Sequence, residues 1–214
     1  EKIIAKSQVS ILYLKGYESL PSSTIVSILL ESLFNHRSMS TNVIPPFFTV
    51  LEEAQNFIPS KSEGQDGYPS VSTIKKIATE GRKFGVGLML VSQRPYRLDE
   101  TVCSQMNSYI ILRLKNERDQ NFVKKTMENW DNEEAKQLPN FANGQGIVSG
   151  QITNIPLTVQ IKFDDDLIND DISDEDFIND VKNWKDTNVS KSKKLLSNQF
   201  DKIFKSDQRG KTQW

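Results

Sequence analysis

The sequence predicts an α/β fold with a mostly parallel sheet flanked by helices, followed by a helical tail. Three observations predict it. Near-continuous apolar segments recur as "VSILYL", "FFTVL", "VGLMLVS" and "SYIILRL", the pattern of strands buried on both faces. Stretches of helical period separate them, so strand and helix alternate. The 214 residues, 36% of them hydrophobic and 11 of them Phe, are enough to build one such core.

Taken in order, Val9 to Leu14 reads as a buried strand. Pro21-Ser22-Ser23 is a helix-start signal, and Ile25, Ile28, Leu29, Ser32 and Leu33 form a 3.6-residue face. Phe47 to Leu51, following Pro45-Pro46, is short, aromatic and β-branched and reads as a second strand. "PSKSEGQDGYPS" (59–70) is rich in Gly, Ser and Pro and reads as a mobile loop. Val71, Ile74, Ile77 and Ala78 set a helix that stops at Gly81. Residues 86–92 form the next strand, 99–107 a short helix and 108–114 a third central strand. Residues 117–130 and 133–138 read as helical, and "QGIVSG" and "IPLTVQIKF" close the body as two strands. The domain division is therefore 1–163 for the α/β body and 164–214 for an acidic linker and amphipathic helical tail. In that tail Phe177, Val181 and Trp184 share one helical face, and Leu196, Phe200, Ile203 and Phe204 another. Two short amphipathic helices of this kind need a surface to dock on.

Composition excludes several functions. With one Cys, Cys103, and one His, His36, neither a disulfide framework, a zinc cluster nor a Cys/His nucleophile pair can be built. The single Cys fits a reducing, cytoplasmic setting. No apolar run approaches membrane-spanning length and no signal peptide is visible. The net charge of −1 hides a segregation, with nine acids and no Lys or Arg in 164–180 and nine basic residues against three acids in 181–214. That leaves 18 basic and 16 acidic residues in 1–163, short of the basic excess of a free-standing nucleic-acid binder. The chain begins at Glu1 without Met and reads as a fragment of a longer protein.

Two stretches carry chemistry. In "FFTVLEEAQNF" (47–57) an apolar strand runs directly into Glu52 and Glu53. Acids there can simply complement the dipole of a following helix. Alternatively, at the carboxyl end of a parallel strand, where ligands bind, one can hold Mg²⁺ and the other orient an attacking water. In "EGRKFGVGLMLVSQRP" (80–95), Arg82 and Lys83 either complement a helix C-terminus or serve a site. At the far end of the same strand, Gln93 either belongs to a turn fixed by Pro95 or contacts a phosphate or water, since its amide both donates and accepts.

"FTVLEEAQNF", "ATEGRKFGVGLMLVSQRP" and "IILRLKNERDQNFV", in that order and spacing, resemble the HerA branch of the FtsK/HerA P-loop ATPases. The resemblance runs from about Val9 to Phe163 and implies part of a RecA-like P-loop NTPase core. It further implies a homohexameric ring that moves double-stranded DNA with ATP and Mg²⁺. Position by position it implies Glu52 as the Walker B acid holding Mg²⁺ and Glu53 as the acid that polarises the attacking water. Arg82 is implied as a finger entering a neighbour's nucleotide site, and Gln93 as the sensor on the next strand. Where the family has "EEAH" this chain has "EEAQ", so a role tied to that His does not transfer to Gln55. The partners implied are a NurA-like nuclease in DNA end processing or repair, or a sirtuin-like or nuclease effector in phage defence.

No G-x-x-x-x-G-K-[ST] phosphate cradle occurs in the sequence. Gly210-Lys211-Thr212 is a decoy, because Lys205 stands where the earlier Gly is required. The Walker A motif is expected before Glu1, and the 214 residues alone are expected to be inactive. Two other readings stand beside the first. One is a conjugation coupling ATPase, which shares the acid pair, "GRK" and Gln. The other is a non-enzymatic interaction module built on the α/β body and amphipathic tail.

Overall fold

The computed structural model describes residues 3–39, 44–126, 136–153 and 155–162, within a compact unit that ends at Lys162. The expected tail helices lie outside the described residues, as do residues 127–135, which hold the end of the helix expected over 117–130 and the start of that expected over 133–138.

Helix α1 (Ser19–Ser38) precedes strand β1 (Phe47–Leu51), helix α2 (Pro69–Glu80) and strand β2 (Val86–Leu90). The two strands pair in parallel, with Phe47 opposite Val86 and Leu51 opposite Leu90. α3 (Glu100–Cys103), β3 (Ser108–Leu112), α4 (Glu117–Thr126), β4 (Gln145–Gly150) and β5 (Leu157–Gln160) follow. These last three strands form an antiparallel sheet in the order β3-β4-β5. The α/β class is as expected, but parallel pairing is confined, among the described strands, to β1 and β2. β3, expected as a central strand, lies at one edge of its sheet, because β4 pairs on both its sides and β3 pairs only with β4.

A parallel pair requires a crossover helix, and α2 supplies it. Ile74 and Ile77 of α2 are buried with Val26, Leu30 and Phe34 of α1, Leu51 of β1 and Val86 of β2. The helices α1 and α2 approach closely through small hydroxyl residues. Ser23 and Ser70 share a 2.7 Å hydrogen bond, Ser27 and Thr73 one of 2.9 Å, and Ser27 Oγ donates to the Pro69 carbonyl at 3.1 Å. This contact overrides the face expected for α1. Ile28 is 65% exposed, while Ser23, Val26, Ser27 and Leu30 face inward. Both sides of the helix are apolar, and the side whose serines find hydroxyl partners is the one that packs. A second core, Ile111, Val123, Leu138, Phe141 and Ile147, joins β3, β4 and α4.

Two further expectations are corrected. Val9 to Leu14 forms no strand, with Val9 88% exposed, and among the described residues no strand pairs with it. The expected mobile loop at 59–70 is pinned. Pro59 bridges Leu98, Ser60 N–H donates to the Arg97 carbonyl at 2.7 Å, Arg97 meets Glu63 at 2.6 Å, and α2 begins at Pro69. Pro at the start of α2 costs no hydrogen bond, since the first-turn N–H groups have no helical acceptor. The face of β1 and β2 away from α1 and α2 carries exposed Phe48, Val50 and Met89.

Candidate functional site

β1 ends abruptly. Leu51 is buried, Glu52 is exposed, and Glu53 adopts a left-handed backbone conformation at φ 49°, ψ 50°. For a residue with a Cβ this conformation costs of order 1 kcal/mol or more and persists only where neighbours enforce it. They do so here. Val91 N–H donates to the Leu51 carbonyl and Ala54 N–H to the Val91 carbonyl, both at 2.9 Å. Ala54 is wholly buried, fixing the chain immediately after the turn. The kink carries the Glu53 side chain across the carboxyl end of β2, where Gln93 Nε2 donates to its Oε1 at 3.0 Å.

Glu53 and Gln93 are therefore together at the carboxyl edge of the parallel pair, as expected from the sequence. Glu52 is beside them in the chain but points its carboxylate to solvent, without a hydrogen-bond or ion-pair partner among the described residues. Neither acid opens a helix of any length; the chain passes into a single 3-10 turn, Ala54–Asn56. Sequence reasoning missed two participants. Gln55 Nε2 donates to Glu53 Oε2, and Ser92 Oγ donates to Gln55 Oε1 at 2.7 Å. The signal available was proximity in sequence, since Gln55 lies two residues after Glu53 and Ser92 directly precedes Gln93.

Arg82 and Lys83 lie at the other end of β2, exposed on the 3-10 turn Gly81–Phe84. Among the described residues neither has an ion pair. The turn is held from α1, where Arg37 donates to the carbonyls of Phe84 and Ile44, each at 2.8 Å. A five-residue strand spans roughly 16 Å, so within this chain Arg82 and Glu53 occupy opposite ends of the sheet.

Beyond Gln93, the turn Pro95–Arg97 is tied to α4 by Asp119, whose buried carboxylate accepts from Tyr96 N–H at 3.2 Å. Burial raises the Asp119 pKa above the ordinary value, against the opposing pull of the Tyr96 N–H and the Arg94 charge. Cys103, buried in α3, has its thiol pushed up to about 12 by desolvation and by Asp99 and Glu100, which leaves it without nucleophilic character.

The donor set fits Mg²⁺ in one respect. That ion takes one or two carboxylates and fills its octahedron with water and phosphate oxygens, and Glu52 offers one free, solvent-facing carboxylate. Among the described residues no cluster of three ligating side chains exists, so no all-protein metal cage is present. No helix of the described residues is long and apolar enough to cross a membrane.

Comparison with known proteins places this geometry in context. No family model matches the sequence. A probable helicase of Methanocaldococcus jannaschii is 36% identical over 167 residues, covering 74% of this chain and 31% of the relative. The DNA double-strand break repair helicase HerA of Saccharolobus solfataricus is 31% identical over 90% of this chain and 37% of its own length. That of Pyrococcus furiosus is 40% identical over 54% of this chain and 20% of its own. The chain thus spans about a third or less of these relatives, and the resemblance to HerA helicases read from the motifs is borne out. Among solved structures, the genome packaging NTPase B204 of Sulfolobus turreted icosahedral virus 2 in complex with AMPPCP superposes with a TM-score of 0.55 at 15% identity, over 76% of this chain and 70% of its own. VirB4 of Thermoanaerobacter pseudethanolicus gives 0.54 at 14% identity, over 71% of this chain and 40% of its own. The fold is that of P-loop NTPases.

Proposed function

From the premise that this chain belongs to the HerA helicase family, we propose that it is the carboxyl-terminal portion of an ATP-driven double-stranded DNA translocase. The observation that carries the reading is Glu53, re-aimed by its left-handed backbone and met by Gln93 at the carboxyl edge of β1 and β2. In open parallel sheets that edge is where ligands sit.

Under this reading Glu53 accepts and orients the attacking water, and Gln93 senses the γ-phosphate or that water. Glu52 holds Mg²⁺ through water, and the ion, when bound, neutralises charge building on the phosphoryl oxygens. The phosphate cradle belongs to chain outside the 214 residues, because no Walker A motif occurs within them. The separation of Arg82 from Glu53 supports a ring, hexameric by family analogy, in which Arg82 serves the adjacent subunit's nucleotide. Residues 164–214 are read as an acidic linker and helical tail that docks on a neighbour or partner. That partner is a NurA-like nuclease or a defence effector.

Glu53→Gln in the complete protein tests the assignment. It keeps the shape but cannot take a proton from water, so nucleotide binding is expected to persist while turnover falls to background. Binding measured by fluorescent-nucleotide titration, with hydrolysis at the wild-type rate, would refute it.

A further inference from the structure

The second hydrogen bond to Glu53 belongs to a chain with a defined polarity. Arg94 N–H donates to Ser92 Oγ at 3.1 Å. With one lone pair so engaged, the Ser92 hydroxyl directs its own hydrogen to Gln55 Oε1 at 2.7 Å. That commits the Gln55 carbonyl side to Ser92 and turns its NH₂ toward Glu53 Oε2. The reversed amide would set its oxygen against a carboxylate oxygen, a repulsive contact, and waste the hydroxyl donor. Gln93 meanwhile donates to the other carboxylate oxygen, Oε1. Both oxygens of Glu53 are thus gripped, one by each of two amides, and the amide of Gln55 is itself oriented by Ser92.

Gln55 is half-buried and follows the fixed residue Ala54, so its side chain is directed by a rigid backbone. Ser92 lies immediately beyond β2, one residue before Gln93. A single turn of chain therefore presents both a direct and an indirect grip on the same carboxylate. We propose that Gln55 and Ser92 are positioning residues for Glu53, acting in series, with Ser92 working only through Gln55. The inference rests on the role given to Glu53 above and adds residues that fix its orientation.

Acting in series has a consequence that a packing role lacks. Removing Gln55 removes all that Ser92 contributes, so the two substitutions should not add. The experiment uses the complete protein and measures ATP hydrolysis across ATP concentration, with a thermal melt of each variant. Gln55→Met keeps the length and loses the donor. It is expected to lower kcat roughly 10-fold, the rate equivalent of about one net hydrogen bond, with KM within about twofold. Ser92→Ala should cost less, roughly threefold, because the amide still donates part of the time. Ser92→Thr retains the hydroxyl and should recover most of that loss. The double variant Gln55→Met with Ser92→Ala should match Gln55→Met alone.

Multiplying losses in the double variant, or an unchanged kcat in Gln55→Met while Glu53→Gln is inactive, would overturn the inference. So would losses that follow the melting temperature instead of the presence of the donor. Should Gln55→Met fail to fold, the Ser92→Ala and Ser92→Thr pair decides, since equal rates in those two leave no role for the hydroxyl. Hydrolysis by Glu53→Gln at the wild-type rate is a different failure and removes the role of Glu53 itself.

Discussion

Adjacent carboxylates in one dipeptide have acquired different surroundings because a single residue, Glu53, leaves the extended conformation. Elsewhere a carboxylate is constrained by burial instead. Asp119 is only 4% exposed and its pKa is raised by desolvation. A folded-state pKa above the unfolded one means that the stability this group contributes is present in acid. It is lost as pH rises from about 4, the ordinary Asp value, through the raised pKa. Asp119→Asn keeps an oxygen to accept from Tyr96 N–H and removes the charge. The variant is therefore expected to gain in melting temperature over the wild type as pH goes from about 4 to 7, the gap narrowing toward acid. A gap independent of pH would show that the carboxylate is not penalised. At this scale the sequence made the acids and Gln93 legible, because strand-end polar residues stand out against apolar runs. Gln55 and Ser92 stayed hidden, since a hydrogen-bond chain between side chains 37 residues apart leaves no periodic trace.

At the scale of elements, the turn bearing Arg82 is built from outside itself. Gly81 is required by a close approach, because a Cβ there would meet the Val86 carbonyl oxygen at 2.5 Å. Arg37 then clamps the turn from α1 by two charged donors, one to Phe84 and one to Ile44. Arg37→Ala leaves both carbonyls without that donor and should cost about 2–3 kcal/mol, roughly 4–12 °C in melting temperature for a body of this size. Arg37→Lys should fall between, as a point charge cannot serve two carbonyls with a fixed fork. Circular dichroism melts check both; an unchanged Arg37→Ala melt would mean the clamp is not felt. The elements themselves were largely legible, since apolar runs and helical periods located α1, α2, β1, β2, β3, β4 and β5. What stayed hidden was pairing and facing. Strand direction depends on crossovers. The buried side of α1 was decided by Ser23 and Ser27 meeting α2, whereas apolar content favoured Ile25 and Ile28.

For the molecule as a whole, the described body holds the acid end and the arginine end of β2 about a strand length apart, and neither can reach the other. This separation fits the proposed ring, and the ring makes the strongest test. If Arg82 completes a neighbour's site, its guanidinium offsets charge on the transferred phosphoryl. Fingers of this kind are worth roughly 10³–10⁵ in rate, so Arg82→Ala in the complete protein should nearly stop hydrolysis. Lys83→Ala should cost far less, because Lys lacks the planar fork that spans two oxygens. Mixing Arg82→Ala protein with Glu53→Gln protein, each inactive alone, then separates the geometries. Across some mixed interfaces an intact Glu53 from one subunit faces an intact Arg82 from the next, so partial activity returns. A within-chain role leaves every interface defective, and mixed assemblies verified by differential tagging would stay inactive. Because β2 keeps the two residues apart in one chain, recovery is the expected result, with a maximum near equal proportions of the two proteins.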